Sequence, residues 1–225
     1  LDHVDLEYMK NKGLVVTHCP GFNSGVALAE HAMLLMLMLS RNIHKATDNF
    51  KAGLSYEPVG KELEDSILAI VGFGASGQEL ARRAKAFGMR VYAIDVRQID
   101  SQVLEDLNPD FIGTLKDLDH VIKECDFISP HLPLNVDTRH IIDTRRIGLM
   151  KSSACIINVA RGGLVDEEAM HEALLSGKLG GAGIDVFSSE PPDPTLPVYQ
   201  LPNVFVTPHI AGVTLETSRK RAKVM

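Results

Sequence analysis

The chain has 225 residues, of which 45% are hydrophobic and 23% are charged, as is usual for a globular protein with a full core. The formal net charge is −6 and lysines and arginines form no cluster, which argues against nucleic acid as a partner. The longest apolar stretch, residues 26–39, contains Glu30 and His31 and is too short to span a bilayer. Since no signal-peptide pattern is present either, we expect a cytoplasmic protein without a membrane partner.

The first 45 residues are predicted to differ from the rest of the chain. Residues 14–17 are typical of a strand, and the turn Cys19-Pro20-Gly21 precedes a helix that Ser24 caps and that runs to about Lys45. The middle of this helix, AMLLMLML, is apolar all round, which predicts burial on every side. Such a helix lies between domains or between subunits, so we expect a homodimer through residues 24–45; a core helix in a monomer is the alternative.

From Ser66 onward, short apolar runs alternate with amphipathic stretches. The predicted strands are 67–71, 90–94, 127–129, 154–158, 182–186 and 204–207. The predicted helices between them are 76–87, 115–124, 144–150 and 166–176. This alternation predicts an α/β fold with a doubly wound, Rossmann-type parallel sheet and right-handed crossovers. The proline-rich stretch 191–202 is predicted to be a surface loop.

The first predicted strand runs directly into Gly72-Phe73-Gly74-Ala75-Ser76-Gly77, which is a GxGxxG pattern at the head of a helix. Gly72 would permit the tight turn, Gly74 the approach of a pyrophosphate, and Gly77 the close packing of helix on strand. The free N–H groups and the helix dipole would then face the phosphates. A lone GxGxxG is weak evidence, but here the strand and the helix flank it as a dinucleotide site requires.

An acidic residue ends the second predicted strand, as a dinucleotide-binding site requires. Asp95 can accept hydrogen bonds from the ribose hydroxyls of adenosine and would repel a 2′-phosphate, which predicts NAD as the cofactor. Arg97 leaves NADP as an alternative. A strand-end aspartate in a fold without a nucleotide is the other alternative.

Three later segments place charged side chains where predicted strands end. Arg161 stands beside two glycines in VARGG, Glu190 follows the strand in GIDVFSSEP, and His209 ends the last strand in TPHIAG. Because parallel strands all end at one edge of the sheet, we expect these groups at the same edge as the glycine loop. An ordinary surface ion pair with an unrelated arginine is the alternative.

At these residues the sequence resembles the D-isomer-specific 2-hydroxyacid dehydrogenases, a family that includes phosphoglycerate dehydrogenases and glyoxylate and hydroxypyruvate reductases. The matching segments are GFGASG with Asp95, HLPLNVDTR, NVARGGLVDE, GIDVFSSEPP and TPHIAG. The opening NKGLVVTHCPGFNSGVALAEHAMLLMLMLSR is similar to the interdomain region of that family, so the resemblance covers essentially the whole chain.

The resemblance implies an enzyme that transfers a hydride between NAD(H) and C2 of a small D-2-hydroxy acid or 2-keto acid. Arg161 would bind the substrate carboxylate and polarise the keto oxygen. His209 would be the general acid in keto reduction and the base in hydroxyl oxidation. Glu190 would hydrogen-bond His209, orient it and favour its protonated form.

The resemblance also implies further contacts with the cofactor. These would come from Ala75 and Ser76 at the phosphates, Thr138, the turn Val159-Ala160-Arg161, Asp185 at the nicotinamide amide, and His209 to Gly212 beside the same ring. Two alternatives remain open, because Asp185 could only cap a turn and Thr138 could only begin a helix. His131 is predicted to be structural.

The resemblance further implies a two-domain enzyme of which this chain is a fragment. Residues 1–20 would be a remnant of a substrate domain, residues 21–209 the dinucleotide-binding domain, and residues 210–225 the start of a helix returning to the substrate domain. Ser76 departs from the family, which more often carries an aliphatic residue there. The residues that read the far side of the substrate would lie mostly in the other domain, so the sequence does not select one 2-hydroxy acid.

Two other functions remain alternatives. Some relatives are NADH-responsive corepressors, and such an interaction module would not need turnover. A formate-dehydrogenase-like protein would carry Gln in place of Glu190. The cysteines Cys19, Cys125 and Cys155 form no CxxC pair and are predicted to be reduced structural thiols, and no histidine spacing predicts a metal site.

Overall fold

The computed structural model describes residues 4–17 and 21–224. Its centre is a seven-stranded sheet in the order β3-β2-β1-β4-β5-β6-β7, and every neighbouring pair is parallel. The strands are β1 (Ile67–Val71), β2 (Arg90–Ile94), β3 (Phe111–Gly113), β4 (Phe127–Pro130), β5 (Cys155–Asn158), β6 (Gly181–Ile184) and β7 (Val204–Val206). The order reverses between β1 and β4, as in a doubly wound sheet, so the predicted fold class is confirmed.

Helices connect the strands and flank the sheet. They are α1 (Leu6–Asn11), α2 (Gly25–Ser40), α3 (Ile43–Lys51), α4 (Ala75–Ala86), α5 (Ser101–Leu107), α6 (Leu118–Glu124), α7 (Thr144–Ile147), α8 (Glu167–Leu175) and α9 (Leu215–Ala222). Short 3₁₀ turns occupy Gly21–Asn23, Gly162–Leu164 and Pro197–Gln200.

The sheet has a hydrophobic core on each face, because both faces of its central strands are covered. In β1, Ala69 and Val71 belong to the core that α6 and α8 cover. Leu68 and Ile70 alternate with them and belong to the core that α2 and α4 cover. Every residue of β1 is therefore buried, which explains why this strand is a continuous apolar run rather than an alternating one.

The strand β3 was not predicted, and the strand predicted at residues 14–17 is wrong. β3 has only three residues, lies at the sheet edge and is partly exposed, so it lacks the long apolar run that marked the others. Residues 14–17, predicted as a strand, have no regular structure, and Val15 is 89% exposed. Apolar β-branched residues alone do not make a strand where no neighbouring strand pairs with them.

The predicted helix 24–45 is in fact two helices. Asn42 adopts a left-handed conformation (φ 52°) between α2 and α3, and the two axes are bent by 55°. Within the single chain most of α2 is buried or half-buried and Leu34 is 48% exposed, so burial of this side between domains or subunits stays a prediction. α2 packs on α4 and on the sheet: a Cβ on Gly183 would lie 2.7 Å from the Cβ of Leu35, so α2 rests directly on β6.

The structure places two of the cysteines in the protein interior. Burial raises the pKa of the Cys125 thiol and of the Cys155 thiol to about 12, so both stay protonated at neutral pH and are weak nucleophiles. Cys19, and the turn predicted around it, lies outside the described residues.

Among the described residues, no single helix is long and apolar enough to cross a membrane. The bent pair α2 and α3 meets the length and composition criterion only when its two helices are taken together.

Candidate active site

The glycine loop joins β1 to α4 with a geometry that side chains would block. Gly72 has a φ of 103°, and a Cβ on it would lie 2.6 Å from the carbonyl oxygen of His131. A Cβ on Gly77 would lie 2.2 Å from the carbonyl oxygen of Gly72. Because the N-cap residue Gly74 has no side chain, it cannot cap the N–H groups of the first turn of α4. The loop therefore fits a pyrophosphate, which needs a close backbone and free N–H groups.

Ser76 points inward from this loop. Its hydroxyl lies 2.9 Å from Nδ1 of His131, whose Nε2 lies 3.1 Å from the hydroxyl of Ser129. The Ser129 hydroxyl donates its proton to the carbonyl of Ile157, so the Nε2 of His131 is the donor and its Nδ1 accepts from Ser76. Because the hydroxyl of Ser76 is occupied by His131, its predicted contact with a phosphate depends on its backbone N–H. The hydrogen bond to His131 also explains how the loop accommodates a serine at this position.

The burial of His131 leads to a prediction of how the stability of the protein depends on pH. Burial lowers the pKa of His131 to about 4, below the value of about 6.5 for an unfolded histidine. The unfolded chain therefore binds more protons between these two values, and stability is lost as the pH falls through this window. We expect this histidine to reduce the free energy of unfolding by about 2 kcal/mol between about pH 7 and about pH 5.

Urea unfolding of the protein and of His131→Asn at both pH values measures this effect. The variant lacks the titratable ring, so its stability should fall less between the two pH values. Burial also lowers the pKa of His31 and of His171, but both are present in the two proteins and cancel in the comparison. Equal losses in both proteins would contradict the assignment to His131.

Asp95 stands at the end of β2, beside the loop. It is 6% exposed and accepts the backbone N–H of Phe73 at 2.7 Å. Arg97 donates to it from its backbone N–H (2.9 Å), its Nε (3.0 Å) and its Nη2 (2.8 Å). Burial opposes ionisation of Asp95, but the hydrogen bonds from Arg97 and Phe73 outweigh it and lower its pKa. A stable negative charge therefore borders a cavity of about 650 Å³ that also reaches Ile99 and Gly113.

A second cavity, of about 560 Å³, brings together residues from the ends of β5, β6 and β7. Those with predicted roles are Val159, Arg161, Asp185, His209 and Gly212. They come from distant parts of the chain but leave the same edge of the sheet as the glycine loop, since all the strands are parallel. This is the edge at which ligands bind in open α/β sheets.

His209 and Glu190 form a hydrogen-bonded pair at this cavity. Nδ1 of His209 lies 2.8 Å from Oε2 and 2.9 Å from Oε1 of Glu190, and Oε1 also accepts the N–H of Phe187 at 3.2 Å. An ionised carboxylate only accepts hydrogen bonds, so Nδ1 carries a proton and Nε2 is the nitrogen that can reach a substrate. The imidazole is 41% exposed and the backbone of His209 is left-handed, with a φ of 55°.

Arg161 is held in a turn directly after β5. The side-chain amide of Asn158 donates to the carbonyl of Arg161 at 3.0 Å and accepts the N–H of Ala160 at 3.2 Å. A Cβ on Gly162 would lie 2.0 Å from the carbonyl carbon of Phe187, so this turn packs against the segment that leads to Glu190. The close approach explains why glycine follows the arginine.

Two of the predicted cofactor contacts have other partners in the structure. Asp185 is fully buried and accepts the N–H groups of Ile210 (2.9 Å) and Ala211 (2.8 Å). It therefore holds a turn, which is the alternative role that the sequence left open for it. The hydroxyl of Thr138 donates to the carbonyl of Pro133 at 2.7 Å and closes its own loop. Contacts of these two residues with the cofactor remain predictions.

Sequence reasoning missed residues that line the cavity beside His209. Arg221 of α9 reaches it, and its Nη2 lies 3.8 Å from the position of a Cβ on Gly212. Ser24, predicted only as a helix cap, also lines it. Helical periodicity could have indicated Arg221, because it follows the buried Thr217 by one turn and so shares its face. Within residues 4–17 and 21–224, no group of three or more His, Cys, Asp or Glu side chains could hold a metal ion.

Comparison with known proteins agrees with this geometry. Residues 33–211 match the family described as D-isomer specific 2-hydroxyacid dehydrogenase, NAD binding domain. The chain is 43% identical over 224 residues to a hydroxypyruvate reductase of Thermotoga maritima, covering 98% of the chain and 70% of that protein. It is 41% identical over 224 residues to a D-3-phosphoglycerate dehydrogenase of Methanocaldococcus jannaschii, covering 99% of the chain and only 41% of that protein.

Solved structures have the same fold over the whole chain. A D-lactate dehydrogenase from Aquifex aeolicus, complexed with NAD and lactic acid, is 34% identical with a TM-score of 0.86, and the match covers 100% of this chain and 71% of that one. An acyclic imino acid reductase in complex with NADPH and D-Arg is 30% identical with a TM-score of 0.84, covering 99% of this chain and 69% of that one. The chain therefore belongs to the D-isomer-specific 2-hydroxyacid dehydrogenases, a family of NAD-dependent oxidoreductases of small hydroxy and keto acids, and carries the NAD-binding domain of that family.

Proposed function

We propose that this chain supplies the cofactor site and the acid/base pair of an enzyme that moves a hydride between NAD(H) and C2 of a small D-2-hydroxy acid or 2-keto acid. The observation that carries the proposal is the His209–Glu190 pair, which opens into the same cavity as Arg161. The D-lactate dehydrogenase from Aquifex aeolicus is complexed with NAD and lactic acid, which is a 2-hydroxy acid.

In the direction of keto reduction, Arg161 binds the substrate carboxylate through its guanidinium and polarises the keto oxygen. NAD(H), when bound, supplies the hydride that C2 accepts. His209 gives the proton on Nε2 to the keto oxygen, so the C=O bond becomes C–O–H and the imidazole becomes neutral. Glu190 keeps Nδ1–H of His209 in place during this transfer, which holds Nε2 toward the substrate.

A panel of 2-keto acids with NADH, followed by the nicotinamide absorbance, tests the proposal on the full-length protein. We expect at least one of them to be reduced to the D-hydroxy acid, and the reverse reaction to consume the D-isomer only. Tight NADH binding without reduction of any 2-keto acid would contradict the proposal and would favour the interaction module named above.

The choice between NADH and NADPH is expected to depend on Asp95. The carboxylate of Asp95 would repel the 2′-phosphate of NADPH, and Arg97 beside it could pair with that phosphate. Asp95→Asn should therefore raise the ratio of kcat/KM for NADPH to kcat/KM for NADH by about tenfold or more. Steady-state kinetics with both cofactors measures the ratio. Asp106→Asn, which removes an exposed charge from α5, is the matched control, and an unchanged ratio in Asp95→Asn would count against this role.

We also propose that the protein is a homodimer through the region of residues 24–45. Leu34 and Ile43 of this region are 48% and 38% exposed, and beyond it Phe50 is 82% exposed. Large apolar side chains that are exposed on neighbouring helices suit an interface with a second copy of the chain. Leu34→Glu should therefore halve the molar mass measured by light scattering, whereas Lys45→Glu should not, and a monomeric starting protein would refute the proposal.

A further inference from the structure

A buried chain of hydrogen bonds connects α2 to the loop that carries His209. Nε2 of His31 lies 2.8 Å from the hydroxyl oxygen of Thr207, and that hydroxyl lies 2.6 Å from Oδ1 of Asp185. The side chain of His31 is 12% exposed and that of Asp185 is fully buried. The three residues come from α2, from the end of β7 and from the end of β6, so only the folded sheet brings them together.

The protons in this chain can be assigned from the donors available. A hydroxyl has one proton, and at 2.6 Å from a carboxylate oxygen the proton of Thr207 must point to Asp185. The hydroxyl oxygen of Thr207 then accepts, so Nε2 of His31 is the donor. Burial lowers the pKa of His31 although the Asp185 charge acts against it, which favours a neutral ring with its proton on Nε2.

The hydrogen-bond donors to the Asp185 carboxylate among the described residues all lie within two positions of His209 in the chain. Besides the Thr207 hydroxyl, Asp185 accepts the N–H of Ile210 at 2.9 Å and that of Ala211 at 2.8 Å. The carboxylate thus holds the Thr207 side chain before His209 and the backbone after it. His209 itself has a left-handed conformation that non-glycine residues rarely adopt. Glu190 fixes the ring, and Asp185 fixes the backbone that carries the ring.

We propose that His31 is a positioning residue for proton transfer at His209: its Nε2–H holds the Thr207 hydroxyl against Asp185 and so keeps the 207–211 turn in the conformation that aims the imidazole into the cavity. The inference rests on the proposed role of His209. It assigns to α2 a part in proton transfer besides its packing on the sheet.

A merely structural histidine and a positioning residue differ in what their loss changes. If His31 only fills space, His31→Leu should affect stability and leave kcat as it is. If His31 positions His209, kcat should fall while the Kd of NADH stays nearly the same, since misplacement by a fraction of an ångström slows proton transfer more than it weakens binding. A side chain that donates a hydrogen bond from the same place should restore kcat.

The test uses two pairs of variants in the full-length enzyme. His31→Leu and Thr207→Val each remove one link, and we expect each to lower kcat by about tenfold or more with the Kd of NADH within about threefold. His31→Gln and Thr207→Ser keep a donor and a hydroxyl and should recover most of kcat. The double variant His31→Leu/Thr207→Val should be no slower than the slower single variant, because both break the same chain.

Three results would overturn the inference: an unchanged kcat in both His31→Leu and Thr207→Val, a His31→Gln variant as slow as His31→Leu, or fully additive losses in the double variant. Thr207→Val changes the side-chain volume little, so it remains informative if His31→Leu folds poorly. His209→Gln in the same assay separates the two proposals. If His209→Gln stays active, the proposed function fails. If His209→Gln is inactive while His31→Leu and Thr207→Val keep the kcat of the unmodified enzyme, only this inference fails.

Discussion

His209→Gln is expected to lower kcat for keto-acid reduction by a factor of about 10²–10⁴, the usual contribution of a general acid or base. The amide of glutamine can still hydrogen-bond Glu190 but cannot give up a proton at neutral pH. Because His209 borders the cavity rather than the glycine loop, we expect the Kd of NADH to change by no more than a few-fold. The loss should therefore appear in kcat and not in cofactor binding.

Stopped-flow single turnovers with NADH and the best 2-keto acid of the panel measure the chemical step directly. His120→Gln, an exposed histidine on α6, is the matched control and should retain full activity. Glu190→Gln keeps an acceptor for Nδ1–H but removes the charge, so it should lose less than His209→Gln does. A His209→Gln variant with undiminished single turnovers would exclude His209 as the acid.

Arg161→Ala is expected to abolish measurable turnover while leaving NAD affinity within a few-fold. The guanidinium is the group in this turn that can hold a carboxylate through two parallel hydrogen bonds, so its loss removes both substrate binding and polarisation of the keto oxygen. The backbone of the turn is held by Asn158 and does not need the side chain, which is why we expect the cofactor site to survive.

Titration of NADH fluorescence and steady-state kinetics measure the two effects separately. Arg161→Lys keeps the charge without the planar fork and should recover only part of the activity. Arg82→Ala, an exposed arginine on α4, is the control for loss of a positive charge. A large loss of NADH affinity in Arg161→Ala would place the side chain at the cofactor and contradict its role at the substrate.

The sheet and the glycine loop could be predicted because their signals are local. β1 and β2 begin and end where the apolar runs do, at Ile67–Val71 and Arg90–Ile94, and the loop follows β1 directly. Such runs mark strands buried on both faces, and glycines mark a backbone that a side chain would block. The catalytic candidates Arg161 and His209 were found for the same reason, since each follows a recognisable strand.

The predictions that failed depended on what packs against a segment. Residues 14–17 have the composition of a strand but pair with no described strand, and the predicted helix 24–45 is interrupted by the left-handed Asn42, so α2 ends at Ser40. Leu34 is 48% exposed in the single chain, so its predicted burial needs a surface that the described residues do not provide. A hydrophobic pattern shows that burial is favourable, not which surface provides it.

The amino-acid sequence by itself thus determined the parallel α/β fold, the glycine-rich loop after β1, the acidic end of β2 and the residues at the ends of β5 and β7. Only the tertiary structure decided that Asp185 holds the turn around His209, that Arg221 enters the cavity, and that His31 reaches Thr207 from 176 positions away in the chain. The physical reason is the distance along the chain over which residues interact. Strands, turns and glycine loops are specified by neighbouring residues, whereas a buried hydrogen bond between distant residues forms only when the chain folds.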